Sequence, residues 1–334
     1  MPESRGNSME KSSGVIRKLE KPVLTRKDIP FDSALVFNAG VCKYGGRYVM
    51  VFRNDYGDVE KRKLSGTNNG LAFSDDGINW EVSPKPFFAV KTDEISRVYD
   101  VRLTVTEGVM YACFACDTRH GLRGGVGRVR DDFSGIDIIS LSAPDNRNMA
   151  LFPEKIGGKY VMLERPMPVY SRGRDAFDIW VCDSPDLVYW GNHKLVAGIE
   201  NVPFANNKIG PAAPPVRTEK GWLTTFHAVE LIPGRGKNGW EDRWEKIYRA
   251  GIMLLDPDDP SKVKGLYDKP LIVCDRDFEL EDGFRRDTVF PGGMILEDDG
   301  EVKIYYGASD TVECMASADV NDLINLCLSG AQPG

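Results

Sequence analysis

The chain is poor in histidine, in long apolar runs and in helical periodicity, and each shortage excludes something. Only three histidines occur, at positions 120, 193 and 227, too dispersed along the chain for a zinc motif, so no metal is expected. No apolar run approaches the ~20 residues that a spanning helix needs, which argues against a membrane partner. Basic charge is in deficit, with 43 Lys and Arg against 50 Asp and Glu, a net charge of −7 and a pI near 5.2. That balance argues against nucleic acid as a partner. Seven cysteines (Cys42, Cys113, Cys116, Cys182, Cys274, Cys314 and Cys327) are scattered and odd in number. They predict reduced core thiols and a cytoplasmic setting rather than a disulfide framework. Cys113 and Cys116 have CxxC spacing, but no second pair stands near, and Tyr111 to Ala115 reads as a buried strand. Met1 to Lys21 is polar and charged and does not read as a secretory signal. It is expected to form an arm, mobile or clasping a partner, ahead of one domain over 22–334.

What is abundant is a strand signature. A glycine followed by an alternating aromatic and aliphatic run occurs five times: Gly46 to Phe52, Gly108 to Phe114, Gly158 to Leu163, Gly221 to Phe226 and Gly300 to Tyr306. The glycines are 62, 50, 63 and 79 residues apart. A turn residue ahead of a β-branched and aromatic run is a hairpin signal. A second element, an acidic turn covered by an aromatic, occurs at Ala72 to Trp80 and Val181 to Trp190, and more loosely at Leu254 to Pro260. Five repeats in 334 residues give about 67 per unit, enough for a four-stranded blade with loops. The expected fold is therefore all-β, a five-bladed β-propeller, with a short helical stretch over Val320 to Leu328. Two β-sandwiches are the competing architecture.

In a propeller the blades converge on a channel whose mouth usually carries the site. Polar residues in otherwise apolar strand patterns are then the candidates. Asp100 stands at what reads as a strand start, where aspartate is disfavoured, and suits a general acid with a raised pKa, a turn cap, or a salt bridge to Arg102. Arg147 lies between Asn146 and Asn148, before an apolar run. Arg165 follows a core strand, Lys208 sits in a small, apolar, loop-forming stretch, and His227 closes a strand. Lone cations in rigid Gly/Pro-framed segments of an acidic protein suit an anion site, arginine through its planar fork and lysine as a point charge. Asp310, after the last patterned strand, suits sugar hydroxyls or a turn cap. Asn38 and Arg53 are polar strand ends of the first repeat. Gly121 to Gly125 lacks the lysine and hydroxyl residue of a P-loop and reads as a mobile loop.

These motifs together resemble glycoside hydrolase family 130, the inverting β-mannoside phosphorylases. The resemblance runs from Pro22 to Ile324 and rests on Tyr99-Asp100-x-Arg102, Arg147-Asn148-x-x-Leu151-Phe152-Pro153, Lys208-Ile209-Gly210, Phe226-His227 and Tyr306-Gly307-x-x-Asp310-Thr311. Asn38 to Val41, Phe52 to Gly57, His120 to Gly125 and Gly236 to Trp240 resemble the branch that acts on 4-O-β-D-mannosyl-D-glucose. The resemblance implies that Asp100 is the catalytic acid and that Arg147, Arg165, Lys208 and His227 bind phosphate. It implies that Asn38, Arg53, Tyr99, Asn148 and Asp310 hold the sugar. Where the family is expected to have proline after the acid, this chain has Val101. The implied partners are a β-mannoside disaccharide and inorganic phosphate, with a homo-oligomer possible. No metal or organic cofactor is implied. The chemistry is self-consistent: inverting hydrolysis needs an acid and a base, whereas phosphate is already an anionic nucleophile and needs one acid plus a cationic pocket. A β-1,4-mannooligosaccharide acceptor, a β-mannosidase hydrolase, and a non-catalytic sugar-binding propeller are the competing functions.

Overall fold

The computed structural model describes residues 10–168, 176–236, 238–241, 243–281 and 283–330. After a two-residue strand β1 (Arg17–Lys18), the chain forms five antiparallel sheets in sequence order. The first holds β2 (Leu35–Tyr44), β3 (Arg47–Asp58), β4 (Lys63–Ser74) and β5 (Glu81–Val82). The second holds β6 (Ile95–Thr106), β7 (Val109–Thr118), β8 (Gly121–Val129) and β9 (Ile136–Leu141). The third holds β10 (Asn146–Leu151), β11 (Tyr160–Pro166), β12 (Ile179–Ser184) and β13 (Gly191–Ala197). The fourth holds β14 (Lys208–Pro211), β15 (Val216–Thr218), β16 (Gly221–Leu231), β17 (Lys246–Leu255) and β18 (Val263–Leu266). The fifth holds β19 (Val289–Leu296), β20 (Glu301–Ala308) and β21 (Val312–Asp319). Two α-helices occur among the described residues, α1 (Asp277–Leu280) and α2 (Val320–Ser329). The chain is a five-bladed propeller.

The five glycine-headed runs become β3, β7, β11, β16 and β20, the strand next to the innermost one in each blade. All five glycines have positive φ, from 78° at Gly108 to 141° at Gly221, which L-residues rarely adopt. The acidic-turn repeat also has a common geometry. Asp76 Oδ1 accepts from the amides of Ile78 and Asn79 at 2.8 Å, and Asp186 Oδ1 from those of Val188 and Tyr189 at 2.9 and 3.0 Å. Asp256 does the same for Asp258 and Asp259 at 3.0 Å. These self-capped turns join the third and fourth strands of their blades.

Five apolar clusters fill the spaces between neighbouring blades. Val51, Leu103 and Ala112 lie between the first and second, for example, and Tyr48, Ile295 and Tyr305 between the fifth and first. Side chains on a strand alternate faces, so Cys113 enters the cluster toward the third blade and Cys116 the one toward the first. Their CxxC spacing cannot converge on one point. All seven cysteines are free thiols.

The ring closes through the chain ends. β1 pairs with β21, so this part of the expected N-terminal arm is the outer strand of the fifth blade. Lys18, whose side chain is 3% exposed, donates to Val273 O at 2.6 Å, Asp275 Oδ1 at 2.7 Å and both Glu279 carboxylate oxygens at 2.8 and 2.7 Å. The arm's first nine residues lie outside the described set.

Three local expectations are corrected. Gly121 to Gly125 is no mobile loop but the start of β8; a Cβ on Gly124 would meet Met149 Sδ at 2.5 Å and one on Gly125 the Phe114 ring at 2.3 Å, so these glycines make room for core side chains. Lys208 starts β14, the inner strand of its blade, rather than a loop. His227 lies in the middle of the eleven-residue β16.

Candidate active site

Asp100 does not begin a strand. It lies in the middle of β6, at a bulge where Asp100 and Val101 together oppose one residue of β7, between the pairs Tyr99–Ala115 and Arg102–Cys113. Asn38 and Ala39 bulge in the same way in β2, and Asn148 and Met149 in β10. Gly292 marks a shorter irregularity in β19. Asn38, Asp100 and Asn148 have φ of 54°, 54° and 60°. Asn and Asp tolerate this left-handed region better than other L-residues with a Cβ, so the three positions are one structural device repeated by rotation. Each bulge interrupts the innermost strand and re-aims a side chain. Val101, second in its bulge like Ala39 and Met149, is 1% exposed and packs in the core.

Arg102 occupies the convergence of the blades. It is 3% exposed and donates to Ala212 O at 2.9 Å, Val101 O at 3.0 Å and Asn38 O at 3.2 Å, with Phe290 under its guanidinium. It therefore ties the fourth blade to the bulges that carry Asp100 and Asn38, and it forms no direct bond with Asp100. Beside it Glu313 Oε2 accepts from Ala39 N at 3.1 Å, and burial pushes this carboxyl well above its usual range.

At the mouth lies a cavity of about 570 Å³. Asn38, Arg53, Tyr99, Asp100, Arg147, Lys208 and Asp310 all line it, so residues from all five blades meet there. Asn38 Nδ2 donates to Asp100 Oδ1 at 3.0 Å, and Arg53 Nη1 lies 3.5 Å from the same oxygen. Arg53 is itself held by Asp55 through two bonds of 2.9 and 2.8 Å, and it stacks on Phe37 and Tyr99. Burial pushes the Asp100 pKa up, but Arg53, Arg102, the Asn38 bond and Arg147 together outweigh it and leave it below the ordinary carboxylate value. This corrects the expected raised pKa. Asp310, in the turn after β20, goes the other way. Burial raises it, with Asp100 and Asp55 adding, against the pull of Arg285 at 3.3 Å and of Arg53.

The cations converge on the side of the site formed by the third and fourth blades. Arg147 and Arg165 are cross-strand partners in the third blade, and His227 lies on the fourth. Arg165 is 1% exposed, and no carboxylate pairs with it among the described residues. Burial and the charge of Arg147 bring its pKa down to about 9. Its Nη1 donates to His227 Nε2 at 2.8 Å, which places the imidazole proton on Nδ1. Burial, with Arg165 and Lys208 close by, holds His227 well below its usual pKa, so this ring is neutral. Lys208 Nζ lies 5.6 Å from the centroid of the Tyr248 ring. Arg165, His227 and Asn148 do not line the open cavity. The first two stand behind Arg147 and Lys208, and Asn148 lies in its own bulge.

Sequence reasoning missed several wall residues. Trp244 and Tyr248 stack at 5.9 Å, Arg285 covers Trp244, and Glu241 holds Arg285 at 2.7 Å. The Trp-x-x-x-Tyr spacing entering β17 was their signal. Ser65 to Thr67 of β4 forms the opposite wall. Lys237, within the Gly236 to Trp240 segment, lies outside the described residues.

The comparisons fit this architecture. A family profile described as β-1,4-mannooligosaccharide phosphorylase matches residues 15–329. A 1,2-β-oligomannan phosphorylase from Thermoanaerobacter sp. is 30% identical over 322 residues, 92% of this chain and 98% of the relative. A β-1,4-mannooligosaccharide phosphorylase from Ruminococcus albus is 30% identical over 91% of this chain and 88% of its own. A 4-O-β-D-mannosyl-D-glucose phosphorylase from Bacteroides fragilis is 25% identical over 99% and 89%. The fold is shared with the Listeria innocua β-1,2-mannobiose phosphorylase, at a TM-score of 0.78 and 24% identity over 93% and 99% of the two chains. Profile and relatives agree over nearly the whole length: the chain belongs to glycoside hydrolase family 130.

Proposed function

We propose that the protein is an inverting phosphorylase that cleaves 4-O-β-D-mannosyl-D-glucose with inorganic phosphate, giving α-D-mannose 1-phosphate and D-glucose. The observation that carries the phosphorylase chemistry is the cation cluster: Arg147 on the cavity wall, its cross-strand neighbour Arg165, buried with no carboxylate paired to it among the described residues, and Lys208 close by. A neutral sugar has no use for such charge, and burying it without an anion is costly. A phosphate dianion there supplies the missing charge. The neutral His227 acts through Arg165, holding its guanidinium by accepting from it. Asp100 delivers the proton to the glycosidic oxygen, through the mannose 3-hydroxyl as in the family, and phosphate attacks the anomeric carbon from the opposite face.

Asp100 is ionised in the free protein, so it needs a reason to carry a proton when it acts. Phosphate provides one, because its charge offsets the arginine field that depresses the Asp100 pKa. Asp100 and Asp310, pushed in opposite directions, also resemble the acid–base pair of an inverting hydrolase. The cation cluster favours the phosphorylase over that alternative.

The acceptor rests on the branch-like segments and on the Bacteroides fragilis relative. A second reading, a β-1,4-mannooligosaccharide acceptor, is favoured by the family profile and the more similar Ruminococcus albus relative. The test is phosphate-dependent release of mannose 1-phosphate from mannosyl-glucose, β-1,4-mannobiose, β-1,4-mannotriose and β-1,2-mannobiose. Preference for mannosyl-glucose supports the first reading, and preference for the 1,4-mannosides the second. Free mannose released equally well without phosphate would refute both.

A further inference from the structure

Away from the channel, the third blade gathers a second set of donor atoms. Each of its four strands contributes one side chain to the face turned toward the second blade: Asn146 from β10, Glu164 from β11, Cys182 from β12 and His193 from β13. The carboxylate, thiol and imidazole donors all lie within 4.8 Å of one another. Glu164 is 2% exposed, and no lysine or arginine pairs with it among the described residues. Its Oε1 is 2.6 Å from His193 Nδ1, and its Oε2 accepts from Asn146 Nδ2 at 2.7 Å. Asn146 Oδ1 is buried without a partner. A cavity of about 290 Å³ opens beside them, walled by Val126, Met149, Met162 and Trp190.

A carboxylate buried against methionine and tryptophan without a permanent cation is costly, and a divalent ion removes that cost. Sulfur, nitrogen and oxygen donors in one cluster exclude the all-oxygen preference of Ca²⁺ and Mg²⁺ and suit a borderline-soft ion. We propose that this face binds a divalent metal ion of the Zn²⁺ type through Glu164, Cys182 and His193, with Asn146 Oδ1 or water as fourth ligand. Binding releases the Cys182 thiol proton to solvent. Tetrahedral zinc, with bonds of about 2.0–2.3 Å, holds its donors roughly 3.3–3.8 Å apart. The widest donor separations must therefore close by up to about 1 Å while the 2.6 Å His193–Glu164 contact opens, and the half-exposed His193 on the outer strand has room to move. The three histidines are dispersed in sequence, and the site arises because adjacent strands bring one donor each. Asn146 and Glu164 immediately precede Arg147 and Arg165, so the ion would brace the strand pair that carries both arginines.

The test is titration of the reduced, metal-stripped full chain with Co²⁺. Near-stoichiometric binding is expected, with the near-ultraviolet charge-transfer absorption of a thiolate–cobalt bond and displacement by Zn²⁺. Cys182→Ser should abolish that absorption. His193→Ala, at a half-exposed position that folding tolerates, should weaken binding by about tenfold or more. Thermal melts of both variants report folding. A wild-type protein without thiolate–cobalt absorption, or absorption that persists at unchanged affinity in both variants, would overturn the proposal.

Discussion

Filling the cation cluster with a doubly charged anion should load a proton onto Asp100. In the free protein its carboxylate lies 3.5 Å from Arg53 Nη1, with Arg102 and Arg147 adding to the field. At an effective dielectric constant of about 20, the Arg53 contact alone amounts to about 5 kcal/mol of gross attraction, which is why burial loses. A dianion seated against Arg147 reverses part of that field. Taken at a separation of about 8 Å and an effective dielectric constant of about 40, such a dianion opposes ionisation by about 2 kcal/mol. The bound-state pKa then exceeds the free-state one. Protons are taken up on binding at pH values between the two, and anion affinity rises as the pH falls through that window. Sulfate is the right probe, because in the upper part of that window it is doubly charged and carries no proton of its own. Calorimetric titration with sulfate in buffers of different ionisation enthalpy measures the uptake directly. The wild type should take up a substantial fraction of a proton. Asp100→Asn should lose that component and keep only what other groups, Asp310 among them, contribute. Equal uptake in both proteins, or proton release in the wild type, would refute the reasoning.

Asp100→Asn preserves the side-chain shape and should lower mannose 1-phosphate formation by about 10²–10⁴-fold with the fold intact; near-normal turnover would remove Asp100 from the acid role. Arg147→Ala and Lys208→Ala should each cost about 1.5–3 kcal/mol of phosphate binding, seen as a roughly ten- to hundredfold higher apparent KM for phosphate in a phosphate series. Unchanged phosphate dependence in both would place the anion elsewhere. Lys18→Met strands the buried Glu279 and the partly buried Asp275 carboxylates and should cost about 3–5 kcal/mol, lowering the melting temperature by about 5 °C. A melt within a degree of wild type would show that ring closure does not depend on this pair.

The blade count was legible because it rests on local chemistry. The glycines that precede the second strands must adopt positive φ, and the runs that follow alternate because each strand packs one face against each neighbouring blade. The self-capped acidic turns were legible for the same reason. The candidate residues were legible as chemical types, cations and carboxyls where a strand pattern should be apolar. Their placement was less so. Asp100 read as a strand start because aspartate is unfavourable inside strands, yet the bulge gives it a left-handed slot that aspartate tolerates. Gly121 to Gly125 read as a loop because glycine is a poor strand former, yet Met149 and Phe114, from elsewhere in the chain, need the space.

By itself the sequence determined the all-β class, the fivefold repeat, the excess of core thiols over disulfide pairing, and the set of side chains from which a site could be built. Only the tertiary structure decided how those side chains are charged and which of them meet. The sign of the Asp100 shift depends on Arg53, 47 residues before it, on Arg147, 47 residues after it, and on the depth of burial. The neutrality of His227 depends on its burial and on Arg165 and Lys208, from two different blades. The grouping of Glu164, Cys182 and His193 depends on strand register. Electrostatic energies follow distances in space and local dielectric, and neither quantity is encoded in the spacing of residues along the chain.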